Sequence, residues 1–137
     1  MESWLIPASA ALVIYGLWGF FPKLAVTYIN PASALIYEIA GAMLVGLVSL
    51  FWVGFQPETH PKGILFAVLT GIAGMLGTLF FFAAASRGKI SVVVSMTALY
   101  PLITIMLAAI FLREPITAKQ VMGMLCAVAA IMLLTWE

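Results

Sequence analysis

Residues 90–112 read ISVVVSMTALYPLITIMLAAIFL, 23 positions without a single charge. At about 1.5 Å per residue, a helix of that length crosses a hydrocarbon core of roughly 30 Å, so the stretch reads as a membrane span. Arg87 and Lys89 close one end, and Arg113-Glu114-Pro115 closes the other. Pro101 falls mid-span, where it has no N–H for the carbonyl of Thr97 and is expected to kink the helix. At about 100° per residue, Thr97, Tyr100 and Thr104 share one narrow arc. Hydroxyls beside a freed carbonyl are what a substrate path through a dry region needs, which makes these three residues candidates for one.

The rest of the chain has the same character. Of 137 residues, 65% are hydrophobic and 8% charged, and the mean hydropathy is +1.20; soluble domains are roughly 25% charged. The expected class is an all-α integral membrane protein, with residues 1–137 as one membrane domain. The longest polar interval, Gln56 to Lys62, leaves no room for a soluble domain. A net charge of +1 with no basic run excludes a nucleic-acid footprint and a polybasic lipid-binding segment. Cys126, the single cysteine, lies in an apolar run and is expected to pack as a small hydrophobe. Met1-Glu2-Ser3 lacks a basic n-region, and the apolar run behind it exceeds a signal h-region. That run is therefore expected to remain as a span.

Five spans are expected, at about 4–29, 32–55, 63–85, 90–112 and 117–136. The first is interrupted by Pro22 and Lys23 and ends at the turn-forming Asn30-Pro31. Trp4, Tyr28, Trp52 and Trp136 fall near span ends, as interfacial aromatics do, but Tyr15 and Trp18 fall near mid-membrane. Their polar tips need partners there, either a neighbouring helix carbonyl or a cavity. Both readings stand at this point, and Pro22, which frees the carbonyl of Trp18, favours the cavity.

The second span carries Glu38, the acid placed well inside an apolar stretch, about 10 Å beyond Pro31 by helix rise. Ala34, Gly41, Ala42, Val45 and Ser49 share its side, a small-residue face that neighbouring helices approach closely. Glu38 is therefore expected to point into the bundle. Lys23 lies near the same membrane side, so an internal ion pair holding spans one and two together is weighed equally with a transport role for the two charges. His60, the only histidine, sits in the polar loop without companions at any ligand spacing, and no metal site is expected.

In the third span, Ala67, Thr70, Gly71, Gly74, Gly77 and Thr78 share a face that reads as a packing groove, with Phe80, Phe81 and Phe82 as lipid-facing or core bulk. Before the fifth span, Thr117 and Gln120 fit a capping box. Gly123, Ala127 and Ala130 lie along one side of that span as a small-xxx-small pattern and mark it as the candidate dimer helix.

Five spans leave the two termini on opposite sides. One side carries Lys62, Arg113 and Lys119, the other Lys23, Arg87 and Lys89. Orientation follows the Lys/Arg bias of short loops, and this chain has none. Two copies inserted in opposite directions would form an inverted pair with a cavity at a shared midplane, the arrangement from which alternating access follows by rocking.

Ala98-Leu99-Tyr100-Pro101 with its apolar continuation, followed by Glu114-x-Ile116-Thr117-x-x-Gln120-x-x-Gly123, resembles the repeat of the EamA family in the drug/metabolite transporter superfamily. Trp18-Gly19, and Ala85-Ser86-Arg87-Gly88 leading into Ile90-Ser91, are similar to the same repeat, so the likeness covers nearly the whole chain. Members of that family typically carry two such five-span repeats in inverted orientation. The resemblance thus implies an antiparallel homodimer of ten helices in a bacterial or archaeal inner membrane, exporting or exchanging small organic metabolites. One departure is Tyr37-Glu38 in span two, where longer members often carry a basic residue.

Two classes of function remain. The favoured one is a secondary transporter in which Glu38 exchanges protons or engages a cationic group, with Lys23, Trp18, Tyr15, Thr97, Tyr100 and Thr104 as further substrate or coupling residues. The other is a non-transporting subunit of another membrane protein, or a small channel, in which Glu38 and Lys23 are structural. The sequence contains no nucleophile–base pair, metal cluster or phosphate loop, so neither an enzyme nor a cofactor is expected.

Overall fold

The computed structural model describes residues 4–135; Met1, Glu2, Ser3 and the expected interfacial Trp136 lie outside them. The described residues form helices and connecting turns, and five helical stretches are long and apolar enough to cross a membrane. The chain divides into two compact units, residues 1–87 and 88–137.

The first unit holds α1 (Leu5–Tyr28), α2 (Pro31–Trp52) and α3 (Pro61–Arg87). Asn30-Pro31 does more than turn the chain. The side-chain oxygen of Asn30 accepts from the backbone N–H of Ser33 at 2.9 Å, and Pro31 occupies the first helical position, where its missing N–H costs nothing. Beyond α2, the chain turns through Gly54 and Phe55, both with positive φ. The Phe51 and Phe55 rings meet edge to face across that turn at 4.8 Å. His60 accepts from the backbone N–H of Gly63 at 3.4 Å, a long contact at the start of α3.

All three helices pack against one another. The contact is concentrated near one end: Gly19 and Pro22 of α1, Ala34 of α2, and Thr78, Phe81, Phe82 and Ala85 of α3 are buried. This differs in part from the face expected on α3. Gly71, Gly74 and Gly77 have nothing within 4 Å of where a Cβ would stand, so within the chain the glycine stripe is open. The buried set instead follows the three- and four-residue spacing from Thr78 to Ala85, in which the phenylalanines supply the bulk. Phe80, at 73% exposure, is the one ring of the three that faces outward.

The second unit holds α4 (Ile90–Thr97), α5 (Tyr100–Leu107) and α6 (Ala118–Thr135), with a π-helical turn, Ala108–Leu112, continuing α5. The expected kink at Pro101 appears as a two-residue interruption at Ala98-Leu99, whose backbone stays right-handed. Helix α4 stops at Thr97, and α5 restarts at Tyr100 with Pro101 in its first turn. The missing N–H and the ring's steric demand both act on the preceding turn, which explains an interruption there. The π turn ends on Arg113, whose φ of 56° is left-handed, and the N–H of Glu114 closes back on the carbonyl of Ala108 at 3.4 Å. Thr117 and Gln120 form the expected reciprocal cap of α6. The Thr117 N–H donates to Gln120 Oε1 at 2.8 Å, and the Gln120 N–H donates to Thr117 Oγ1 at 3.3 Å. α4, α5 and α6 carry no fully buried side chain among the described residues.

Seven hydroxyl groups inside the spans are satisfied locally. Ser9, Thr27, Ser49, Thr70, Thr97, Thr104 and Thr135 each donate to a carbonyl four residues earlier on their own helix. With no water in the hydrocarbon core, returning the hydroxyl to the helix is the cheapest way to carry it.

A carboxylate held by an indole on the first two helices

Trp18 and Glu38 are brought together. The indole N–H of Trp18 donates to Glu38 Oε1 at 2.8 Å, joining α1 to α2. The Trp18 ring lies with its centroid 5.2 Å from that of Phe81, tilted by 35°, so α3 supports the indole from behind. Phe81 is itself 5% exposed and belongs to the buried contact. The second carboxylate oxygen, Oε2, is buried and has no hydrogen-bond partner among the described residues. Glu38, of intermediate exposure, thus reaches α1 with one oxygen and shields the other. On its small-residue face Ala34 is buried, while Gly41, Ala42, Val45 and Ser49 remain exposed.

Lys23 turns toward α3. Its ammonium donates to the carbonyl of Ala85 at 2.8 Å, on a residue that is 0% exposed. Ala85 lies in the last turn of α3, whose final four carbonyls have no intrahelical partner and form the negative end of the helix dipole. An ammonium is well matched to that position. Lys23 therefore ties α1 to α3, as Trp18 ties α1 to α2. Tyr15 stands one turn before Trp18 and is exposed.

Thr97, Tyr100 and Thr104 belong to the second unit. The Thr97 hydroxyl donates to the carbonyls of Val93 and Val94 at 2.9 and 3.1 Å, and that of Thr104 to Tyr100 at 3.4 Å. Both hydroxyls are committed to their own backbone. An apolar cavity of about 320 Å³ lies between the interrupted span and α6, with Pro101, Gln120, Gly123 and Ala127 among its walls. Gly123 and Ala127, two of the three residues expected at a dimer contact, thus face this open groove; Ala130 is exposed farther along α6. A smaller cavity of about 190 Å³ takes in Thr104, Glu114 and Gln120 beside the π turn.

The sequence reading had not anticipated two features of the site: the Lys23–Ala85 link and the support of Trp18 by Phe81. The second had a signal, since Thr78, Phe81, Phe82 and Ala85 recur at helical spacing. The first had none, because a backbone carbonyl as acceptor leaves no mark on residue identity.

Five helices long and apolar enough to cross a membrane, three of them meeting around a carboxylate bonded to an indole, define a small multi-pass membrane protein. Residues 2–136 match the EamA-like transporter family, and the chain belongs to that family. Over 136 residues it is 29% identical to an uncharacterized protein of the archaeon Methanocaldococcus jannaschii, covering 98% of each chain. It is 36% identical over 107 residues to the uncharacterized transporter YvbV of Bacillus subtilis, and 31% identical over 114 residues to the uncharacterized transporter YyaM of the same organism. Those alignments take in 72% and 81% of this chain but 34% and 37% of the two transporters, so the chain spans about a third of their length. No solved structure matches it.

Proposed function

We propose that the protein is a secondary transporter of small organic metabolites across the cell membrane, working by alternating access as an antiparallel homodimer with Glu38 as its proton-coupling group. The observation that carries the reading is the buried, unpartnered Oε2 of Glu38 inside an apolar helix. A bare carboxylate oxygen away from water costs free energy that a purely structural residue would avoid. In a transporter that oxygen has a use, because it accepts a proton or a donor group in one state and releases it in another. Trp18 holds the other oxygen and so fixes which way Oε2 points.

We assign Thr97, Tyr100 and Thr104 of the fourth span to the transport path as well. The even division of Lys and Arg between the two expected sides supports the homodimer. Gly123, Ala127 and Ala130 are the proposed contact between copies.

The test is flux. Proteoliposomes loaded with a mixture of metabolites and given a pH gradient should release a subset of them, read by mass spectrometry. The Glu38→Gln protein should fold, keep an acceptor for Trp18, and lose the response to the gradient. A folded Glu38→Gln protein moving the same solutes with the same response would remove Glu38 from the mechanism.

A further inference from the structure

Glu38 is the only acid inside a span between residues 4 and 135, since Glu58 lies in the loop before α3 and Glu114 in the turn before α6. Its two oxygens are placed differently. Oε1 accepts the indole N–H of Trp18 at 2.8 Å, and Oε2 is buried without a hydrogen-bond partner among the described residues. The cation that the sequence offered as a counter-charge, Lys23, gives its ammonium to the carbonyl of Ala85. The indole meets the carboxylate with its N–H edge, and its ring packs against Phe81.

From this arrangement we infer that the group recognised by the site is a primary or secondary ammonium on a small organic molecule. Two requirements meet in that group. A buried carboxylate oxygen with no hydrogen-bond partner among the described residues calls for a positive charge. A carboxylate oxygen already fixed in direction by a bond to its twin calls for an N–H donor, and charge-assisted bonds of this kind are the short, strong ones. A quaternary ammonium meets the first requirement but brings no N–H, so Oε2 stays bare. A neutral alcohol donates but brings no charge. Sites built to bond a substrate N–H discriminate sharply against analogues lacking it, because their own polar group is then left unpaired. Trp18 is the positioning residue in this scheme: it touches Oε1 and thereby orients Oε2.

The inference rests on the transporter reading at one point. Oε2 is sealed in the arrangement described, so a ligand reaches it only when α1 and α2 part, as alternating access requires.

The experiment uses three probes of one shape on the purified, full-length protein in nanodiscs: 2-phenylethylammonium, its N,N,N-trimethyl derivative and 2-phenylethanol. Titration calorimetry should show saturable binding of the first, with the other two weaker by at least about tenfold. Glu38→Gln should weaken the first by a similar factor; if that variant does not fold, the wild-type series alone decides. Equal binding of the primary and quaternary probes overturns the inference, as does the absence of saturable binding of the primary probe or indifference to Glu38→Gln. Flux separates this inference from the reading beneath it. Binding as expected without uptake of radiolabelled 2-phenylethylamine into proteoliposomes keeps the ammonium site and removes the transporter. Flux of other solutes without ammonium binding does the reverse.

Discussion

Trp18 reaches Glu38 across 20 residues of sequence with an N–H···O bond of 2.8 Å that joins α1 to α2. Lys23, five residues farther along α1, turns to α3. The first helix is thus fastened to each of its two neighbours by a different kind of polar contact, an indole on a carboxylate and an ammonium on a helix end. Between the two contacts lies Pro22, which is buried and removes a backbone donor from α1.

Replacing Trp18 by Phe keeps a ring against Phe81 and deletes the N–H. The expected loss is about 1–3 kcal/mol of stability, since a hydrogen bond to an acidic group goes and both carboxylate oxygens are left without a partner. Thermal unfolding in detergent measures it. Trp18→Ala should cost more, because the ring contact goes as well. A Trp18→Phe protein as stable as the wild type would show that the bond contributes nothing.

Lys23→Met should destabilise the protein by about 1–3 kcal/mol through loss of the donor at the C-terminal end of α3, and Lys23→Arg should recover part of it. The informative variant is the double change with Glu38→Gln. Because Lys23 bonds α3 and Glu38 bonds α1, their effects should add to within about 0.5 kcal/mol. A double variant markedly more stable than the sum would instead reveal an ion pair.

Cysteine introduced singly at Glu58 and at Lys89, in a Cys126→Ala background, should label from both faces of the membrane with an impermeant maleimide. The even division of Lys and Arg supplies no bias to choose one orientation. Labelling of every molecule from one face only would end the antiparallel model.

Ala127→Leu puts a large side chain into the groove shared by Pro101, Gln120 and Gly123. If a second copy packs on this side of α6, cross-linking in detergent should show fewer dimers, while the far-UV spectrum stays helical. An unchanged dimer fraction would move the contact elsewhere.

The five spans and the interruption in the fourth were legible because length, hydropathy and proline are local properties. Helical periodicity fixes where a residue such as Glu38 stands around its axis. Periodicity does not fix how far a long side chain reaches or which atom it ends on. Lys23 illustrates this: its four-carbon stem carries the ammonium to a backbone carbonyl on another helix, and backbone acceptors look alike at every position. The buried side of α3 was legible only in part, through Thr78 and the phenylalanines. Glycines advertise a close approach, yet in this chain the approach is made by Phe81 and Phe82, and the glycines stay open. The π turn at Ala108–Leu112 has no residue signature at all, because the wider turn adds one residue without requiring a special side chain.

The locally bonded hydroxyls bear on biogenesis. Seven serines and threonines, on every one of the five spans, are satisfied by the helix that carries them, so none of those groups makes entry into the bilayer wait for a neighbouring span. The two cross-helix bonds of α1 are the exception, and they come due at different times. Glu38 follows Trp18 by 20 residues, whereas Ala85 follows Lys23 by 62. At roughly 5–20 residues per second, the ribosome needs on the order of 3–12 s to supply that second acceptor. The contact between α1 and α2 can therefore form seconds before α1 is fastened to the end of α3.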